Sequence, residues 1–219
     1  MWVIPEASAE FVCQMEQVLD VYQRPYNEQH PVICLDESPK QLISESRTRV
    51  KGPDGSTLYD CEYTRHGVMQ LYMLFEPLAG KRIVQVRGSN NRLTWAALVA
   101  ELVETHYAAA KKITLVQDNL RAHKPAALYE LFEPERAKAI LDKVEFIFTP
   151  KHGSWLNMAE IEFSVLKRQG LAQRVPDAET LLEQVNNWQQ IRNEKAVRAD
   201  WQFTNKKARV KLKKLYPTT

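Results

Sequence analysis

Apolar and polar positions follow two different rhythms along this 219-residue chain, and the change between them divides it. Phe11 to Tyr22 (FVCQMEQVLDVY) sets apolar residues at helical spacing and predicts an opening helix. Pro25 and Pro31 bracket a polar connector that leads into VICLD, an apolar run ending abruptly in acid. Bounded by turn residues, that run predicts a buried strand. Residues 44–57 are polar and rich in Gly and Pro, as expected of a loop or insertion. Leu58 to Arg65, Val68 to Phe75 and Arg82 to Arg87 are β-rich, and short links join them. They predict an antiparallel meander.

The second rhythm begins at Leu93. LTWAALVAELVETHYAAA reads as a helix, ITLVQD as a strand, and Pro125 to Lys143 as helical with a break near Glu133-Pro134. VEFIFTP is a further strand, followed by helices from about Asn157 to Gln169 and from Asp177 to Ile191. Strands alternating with helices imply parallel strands and crossovers. The expected fold is therefore α/β, a mixed sheet of antiparallel meander plus parallel strands, flanked by helices. The expected divisions are a helical lead-in over 1–30, the main unit over 31–191, and a basic segment over 192–219.

Composition adds limits. A hydrophobic fraction of 44% suits a globular core, and no apolar run approaches the roughly 18 residues of a membrane span. The opening MWVIPEASAEF lacks the basic-then-apolar pattern of a signal peptide. Cys13, Cys34 and Cys61 are odd in number and scattered, which suits neither a disulfide framework nor a zinc site; a reducing cytoplasm is expected. The net charge of +3 names no partner, but its distribution is uneven. From Arg192 to Lys214 the chain is dense in Lys and Arg, against only Glu194 and Asp200. Contact with a polyanion and a solvated helix end explain that density about equally well.

The candidate chemistry begins with two acids at strand ends, Asp36 after VICL and Asp118 after ITLVQ. Either alone is more simply a cap for the next turn. Two in one small sheet repel unless a cation lies between them, and magnesium, a hard ion taking oxygen ligands, suits that place. A third acid is available after VEFIF, where the chain turns through Gly153 into a helix capped by Ser154 or Asn157. Glu160 shares a polar face with Asn157, Ser164 and Lys167, whereas Glu162 falls on the apolar side. Periodicity does not choose between them, since a Glu on an apolar face serves equally as a ligand or as a salt-bridged support.

VICLDESPKQLI, VQDNLRAHKPAALYE and FTPKHGSWLNMAEIEFSVLKRQ resemble the three catalytic blocks of the DDE transposases. The resemblance is nearest to the bacterial insertion-sequence branch of the mariner superfamily, and it runs from about Trp2 to Pro217. The matching residues are Asp36-Glu37, Asp118-Asn119 with His123, and Leu156-Asn157-Met158-Ala159-Glu160, so the family pattern selects Glu160 over Glu162. It implies a ribonuclease H-like fold in which Asp36, Asp118 and Glu160 hold two magnesium ions, with manganese as a substitute, and cut and join DNA phosphodiesters. Asn119, His123 and Asn157 are implied supports, and Glu37 is expected to point away from Asp36 across the strand. Lys151, His152, Trp155, Lys167 and Arg168 are expected near the DNA, with Trp155 slightly the better placed as a core residue. Lys207, Arg209, Lys211 and Lys214 would hold the DNA backbone through charge. The implied partners are transposon ends, target DNA and a second copy in a synaptic homodimer. Full-length relatives carry an N-terminal helix-turn-helix region absent here, so a separate helix-turn-helix polypeptide is a further expected partner. A nuclease that cuts without joining and a decayed DNA-binding module are the competing readings.

Overall fold

A computed structural model describes residues 8–47, 50–58, 62–120 and 123–217. Cys61, the middle of the expected Leu58–Arg65 strand and residues 121–122 of the second block lie outside them. The first helix, α1, spans Ala9–Tyr22, capped by Ser8 and burying Phe11, Met15, Val18, Leu19 and Tyr22. Strands β1 (Val32–Glu45), β2 (Val50–Lys51), β3 (Thr57–Leu58), β4 (Tyr63–Glu76) and β5 (Lys81–Arg87) follow. Helix α2 (Arg92–Glu101) runs into a π-helical turn at Leu102–His106. Then come β6 (Ile113–Gln117), α3 (Ala127–Leu131), α4 (Pro134–Lys143) and β7 (Val144–Phe148). A 3-10 turn at Ser154–Leu156 precedes α5 (Met158–Gln169), and α6 (Ala178–Glu194), α7 (Asn205–Lys211) and a last 3-10 turn, Lys213–Leu215, complete the order.

Among the described residues, one sheet of five strands has the order β5-β4-β1-β6-β7, antiparallel from β5 to β1 and parallel from β1 to β7. The expected mixed sheet is thus present, with two hydrophobic layers against it. Cys34, Leu42, Leu71, Met73 and Phe75 face α1, α5 and α6, while Ile33, Leu35, Tyr72 and Leu74 face α2 and the Ala127–Ile140 region. Within the described residues no helix is long and apolar enough to cross a membrane.

Three boundaries differ from the pattern-based expectation. β1 continues from Asp36 to Glu45 because β4 pairs with it along nearly its whole length. Pro39 is tolerated there because β6 pairs only with Val32–Cys34; Thr114 N donates to Pro31 O, so odd-numbered residues of β1 face that side, and the missing N–H of Pro39 faces the open edge. The His66-Gly67 link is no turn. β4 runs straight through, with Gly67 at φ 111 and His66 as the extra residue of a bulge opposite Leu42 and Ile43, so two expected strands form one. The helix expected as far as Ala110 instead ends through its π turn, where Tyr107 N reaches Leu102 O at 2.9 Å.

Candidate active site

Asp36 and Asp118 are brought level by the parallel pairing of β1 and β6. Cys34 and Val116 are register partners whose side chains enter the same core; two residues on, Asp36 projects on that face of β1, and Asp118 follows the end of β6 beside it. α5 lies over this face, placing Met158, Ala159 and Phe163 in that core. Its start is fastened to β1 by Asn157, whose Nδ2 donates to Leu35 O at 2.7 Å while its Oδ1 accepts from Ala159 N at 3.1 Å. One buried side chain therefore caps the helix and ties it to the residue before Asp36. Tyr22 holds the preceding turn, its hydroxyl donating to Leu156 O at 2.7 Å. Glu160, in the first turn of α5, comes to Asp36 by these two attachments.

The electrostatics record the convergence. Burial raises the Asp36 carboxyl, the Glu37 N–H bound to its Oδ1 opposes that rise, and the charges of Asp118 and Glu160 add to it; the result is about 7. The charges of Asp118 and Glu160 thus reach Asp36, adding to a rise that burial dominates.

Glu162 has a different task. Its carboxylate is buried and meets Arg82 Nε at 2.8 Å and Arg192 NH2 at 3.0 Å. Arg82, fully enclosed, also donates to Gly80 O at 2.6 Å and to Val197 O at 2.5 Å, and its guanidinium stacks over Phe75. Glu162 is therefore a salt-bridged support that joins α5 to β5 and α6, and the two candidates left level by periodicity are separated.

His123 supplies the positive charge nearest the acids. Its Nδ1 donates to Asp118 Oδ1 at 2.5 Å, and its Nε2 lies 3.5 Å from Glu37 Oε2, within ion-pair distance but not aligned as a hydrogen bond. Burial works against the imidazolium, but the bond to Asp118 and the nearness of Glu37 outweigh it and hold His123 at about 9. Glu37 points to the face opposite Asp36: it pairs with Tyr72, whereas Asp36 pairs with Met73. Gln117 and Trp95, which sequence reasoning missed, hold this loop. Trp95 Nε1 donates to Gln117 Oε1 at 3.0 Å, Gln117 Nε2 reaches His123 O at 3.3 Å, and the Trp95 and His123 rings stack at 6.0 Å. An amide closing an otherwise apolar strand, immediately before an acid, was the available signal.

Among the described residues, no three His, Cys, Asp or Glu side chains stand at metal-ligand spacing as they are placed. The donor set nonetheless fits a hard divalent cation. It is all carboxylate and half-buried, and Asp118 Oδ2 has no protein partner among the described residues.

The remaining candidates divide by place. Lys151 and His152 are exposed on the loop leading to α5, with His152 at φ 63. Trp155 is half-buried, its ring edge-on to Phe203 at 6.2 Å, and packs against the core. Asn119 is exposed and accepts from Lys124 Nζ at 3.0 Å. Lys167 and Arg168 are exposed in the last turn of α5. The basic C-terminal segment is folded back, with Ala208 and Leu215 buried in the core that α1 shares. Arg209 is paired with Glu16 at 2.7 Å and Lys207 Nζ donates to Gln202 O at 2.6 Å, while Lys211 and Lys214 are exposed.

Residues 31–182 match the family described as DDE superfamily endonuclease. The fold is similar to that of the Mos1 transposase paired-end complex with left transposon end, at TM-score 0.58 and 14% identity over 90% of this chain and 64% of that one. The Mos1 strand transfer complex gives TM-score 0.55 and 13% identity, over 89% of this chain and 64% of that chain. The Mos1 paired-end complex with Mg gives 0.56 and 13%, over 90% and 64%. Identities this low establish the fold alone, the ribonuclease H-like sheet flanked by helices, and this chain spans 64% of the length of those proteins. A search of curated proteins gave no match.

Proposed function

The chain belongs to the DDE superfamily of endonucleases, and on that premise we propose that it is the catalytic domain of a transposase of the bacterial insertion-sequence branch of the mariner superfamily. Its substrates are transposon ends, cut at phosphodiesters, and target DNA, to which the ends are joined. The observation that supports this reading is that the charges of Asp118 and Glu160 reach Asp36 and add to the rise that burial gives it, to about 7.

Asp36, Asp118 and Glu160 would hold the divalent ions, magnesium or manganese. When bound, such ions supply Lewis acidity that lowers the pKa of an attacking hydroxyl and offsets charge on the leaving oxygen. The chain's other residues prepare the site. Asn157 fixes the distance of Glu160 from β1, and Tyr22 steadies the turn before it. His123 orients Asp118 and offsets part of the negative charge when no cation is bound. Lys151, His152 and Trp155 stand on the approach to α5, and Lys167 and Arg168 in its last turn, where phosphates of the substrate pass. Lys207, Arg209, Lys211 and Lys214 form an outer basic surface, of which Lys211 and Lys214 are the members best placed to contact DNA. Residues 31–191 make the catalytic unit in this reading, with 1–30 and 192–219 as flanking segments, of which 8–30 and 192–217 are described. The protein works in the bacterial cytoplasm at the nucleoid, as a homodimer in a synaptic complex. Reading of the terminal repeats falls to a helix-turn-helix unit, on this polypeptide or a separate one.

The test is incubation with labelled element ends and Mg²⁺ or Mn²⁺. Cleavage followed by joining is expected. Cleavage without joining points to a structure-specific nuclease, and no cleavage with either ion to a DNA-binding module without catalysis.

A further inference from the structure

Glu37 follows the first acid but does not join the carboxylates, because alternation along β1 sends it to the other face: Asp36 pairs with Met73 and Glu37 with Tyr72. It nevertheless reaches both aspartates. Its own N–H donates to Asp36 Oδ1 at 2.9 Å. Its side chain reaches Asp118 through His123, whose Nε2 lies 3.5 Å from Glu37 Oε2 and whose Nδ1 holds Asp118 Oδ1 at 2.5 Å. In each aspartate one oxygen is engaged, and the other, Oδ2, has no protein partner among the described residues.

His123 is buried and Glu37 half-buried, and neither His123 Nε2 nor Glu37 Oε2 has a hydrogen-bond partner among the described residues, so each is left to answer the other. Burial, and then the charge of Glu37, raise the Tyr72 hydroxyl, which keeps that carboxylate beside Tyr72. The loop itself is already pinned: Trp95 stacks on the His123 ring at 6.0 Å, and Gln117 Nε2 reaches His123 O at 3.3 Å. A salt bridge that merely pinned the loop would need one carboxylate, yet the ring lies between two and donates from both nitrogens. What the second carboxylate adds is a fixed ring angle. With both ends of the imidazole held, Asp118 Oδ1 stays engaged and Oδ2 is left free.

We infer that Glu37 is a positioning residue of the cation site: by its N–H on Asp36 and, through His123, by its carboxylate on Asp118, it withholds one oxygen of each aspartate and leaves the other for a hard divalent cation. The inference rests on the proposed function for the presence of that cation. An ion in octahedral coordination takes single oxygens at set angles, and the partners that orient its ligands contribute heavily to its affinity. Glu37 acts from the far face of the sheet, so it tunes the site without adding a fourth carboxylate to it.

Calorimetric titration of the full chain with Mn²⁺ alone, beside thermal melting of every variant, tests this. Glu37→Ala should weaken Mn²⁺ binding roughly tenfold. Glu37→Gln should stay within about threefold of the wild type, since its amide either accepts from or donates to Nε2 and keeps the ring in place. His123→Ala should weaken binding as Glu37→Ala does, and adding Glu37→Ala to it should change nothing further, as for two residues acting in one chain. Equal losses in the Gln and Ala variants, or a Glu37→Ala loss that persists undiminished without His123, would overturn the inference in favour of simple attraction between charges. A lowered melting temperature with unchanged Mn²⁺ affinity would overturn it in favour of a structural role. Both outcomes leave the proposed function standing, because the wild type still binds the ion. The expected pattern in a chain that never cuts DNA sinks only the catalytic proposal, and a wild type that takes up no Mn²⁺ overturns both.

Discussion

At the scale of single residues, two glutamates two positions apart on α5 differ in what surrounds them. Glu162 is enclosed by Arg82 and Arg192, so Glu162→Gln leaves buried guanidinium charge unmatched and should cost about 3–5 kcal/mol in chemical denaturation. Glu160→Gln removes repulsion from Asp36 and should leave stability unchanged or slightly higher while abolishing cleavage. Equal effects of the two on stability would contradict the division of roles. Asp36 and His123 also set a pH dependence. Asp36 titrates at about 7 in the folded chain against 3.8 ordinarily, so its contribution to stability is complete below about pH 4 and lost as pH rises through 7. His123, raised from 6.5 to about 9, contributes fully below about pH 6.5 and loses that contribution as pH rises through 9. Both signs agree, so the protein in EDTA should melt at progressively lower temperature from about pH 5 to pH 9. Magnesium needs the ionised Asp36, so it should raise the melting temperature more at about pH 8 than at about pH 5.5. An equal gain at both would count against Asp36 as a ligand. Asp36 and Asp118 were legible in the sequence because an acid closing an apolar run is a local pattern. Glu160 was legible only through the Leu-Asn-x-x-Glu motif, because the arginines that claim Glu162 come from residues 80 and 30 positions away.

Among the elements, α5 is the one on which the site depends, and Asn157 is its fastening. Asn157→Ala removes the cap on Ala159 N and the bond to Leu35 O, and should cost about 2 kcal/mol. Cleavage should fall by more than that loss of stability explains, since Glu160 then lacks its register against Asp36. Activity measured well below the melting temperature checks this, and activity matching the wild type would refute the tether. The helix start was readable to within three residues, as Ser154 or Asn157 after Gly153, and the α6 start from Asp177, because capping is local chemistry; the cap is Asn157. The long β1–β4 ribbon was not. His66-Gly67 has the composition of a turn, and only pairing with Leu42 and Ile43, distant in sequence, makes it a bulge. Gly67→Val, at φ 111, should therefore destabilise by about 1–3 kcal/mol, whereas a residue in an ordinary loop would tolerate the change; thermal melting distinguishes the two.

For the molecule as a whole, the flanks are part of the core. α1 and the C-terminal segment close the layer that carries α5, through Tyr22 against Trp201, Trp155 against Phe203, and Ala208 and Leu215 in the interior. Removal of residues 198–219 should expose that layer and lower the melting temperature substantially, each lost large apolar side chain being worth about 1.5–3 kcal/mol. The high charge of this segment drew attention to DNA and away from Ala208, Leu212 and Leu215, whose spacing of four and three residues is that of a packing face. The fold class was legible because the rhythm of strands and helices is written along the whole chain. The docking of its ends was not, because it depends on surfaces that only the assembled sheet creates. The central claim is that Asp36, Asp118 and Glu160 make one cation-binding site, and calorimetric titration with Mn²⁺ tests it most directly. The wild type should release heat on binding, and Asp36→Asn, Asp118→Asn and Glu160→Gln should each abolish most of it while Lys167→Ala does not. Wild-type binding of Mn²⁺ that survives all three changes together would contradict the claim.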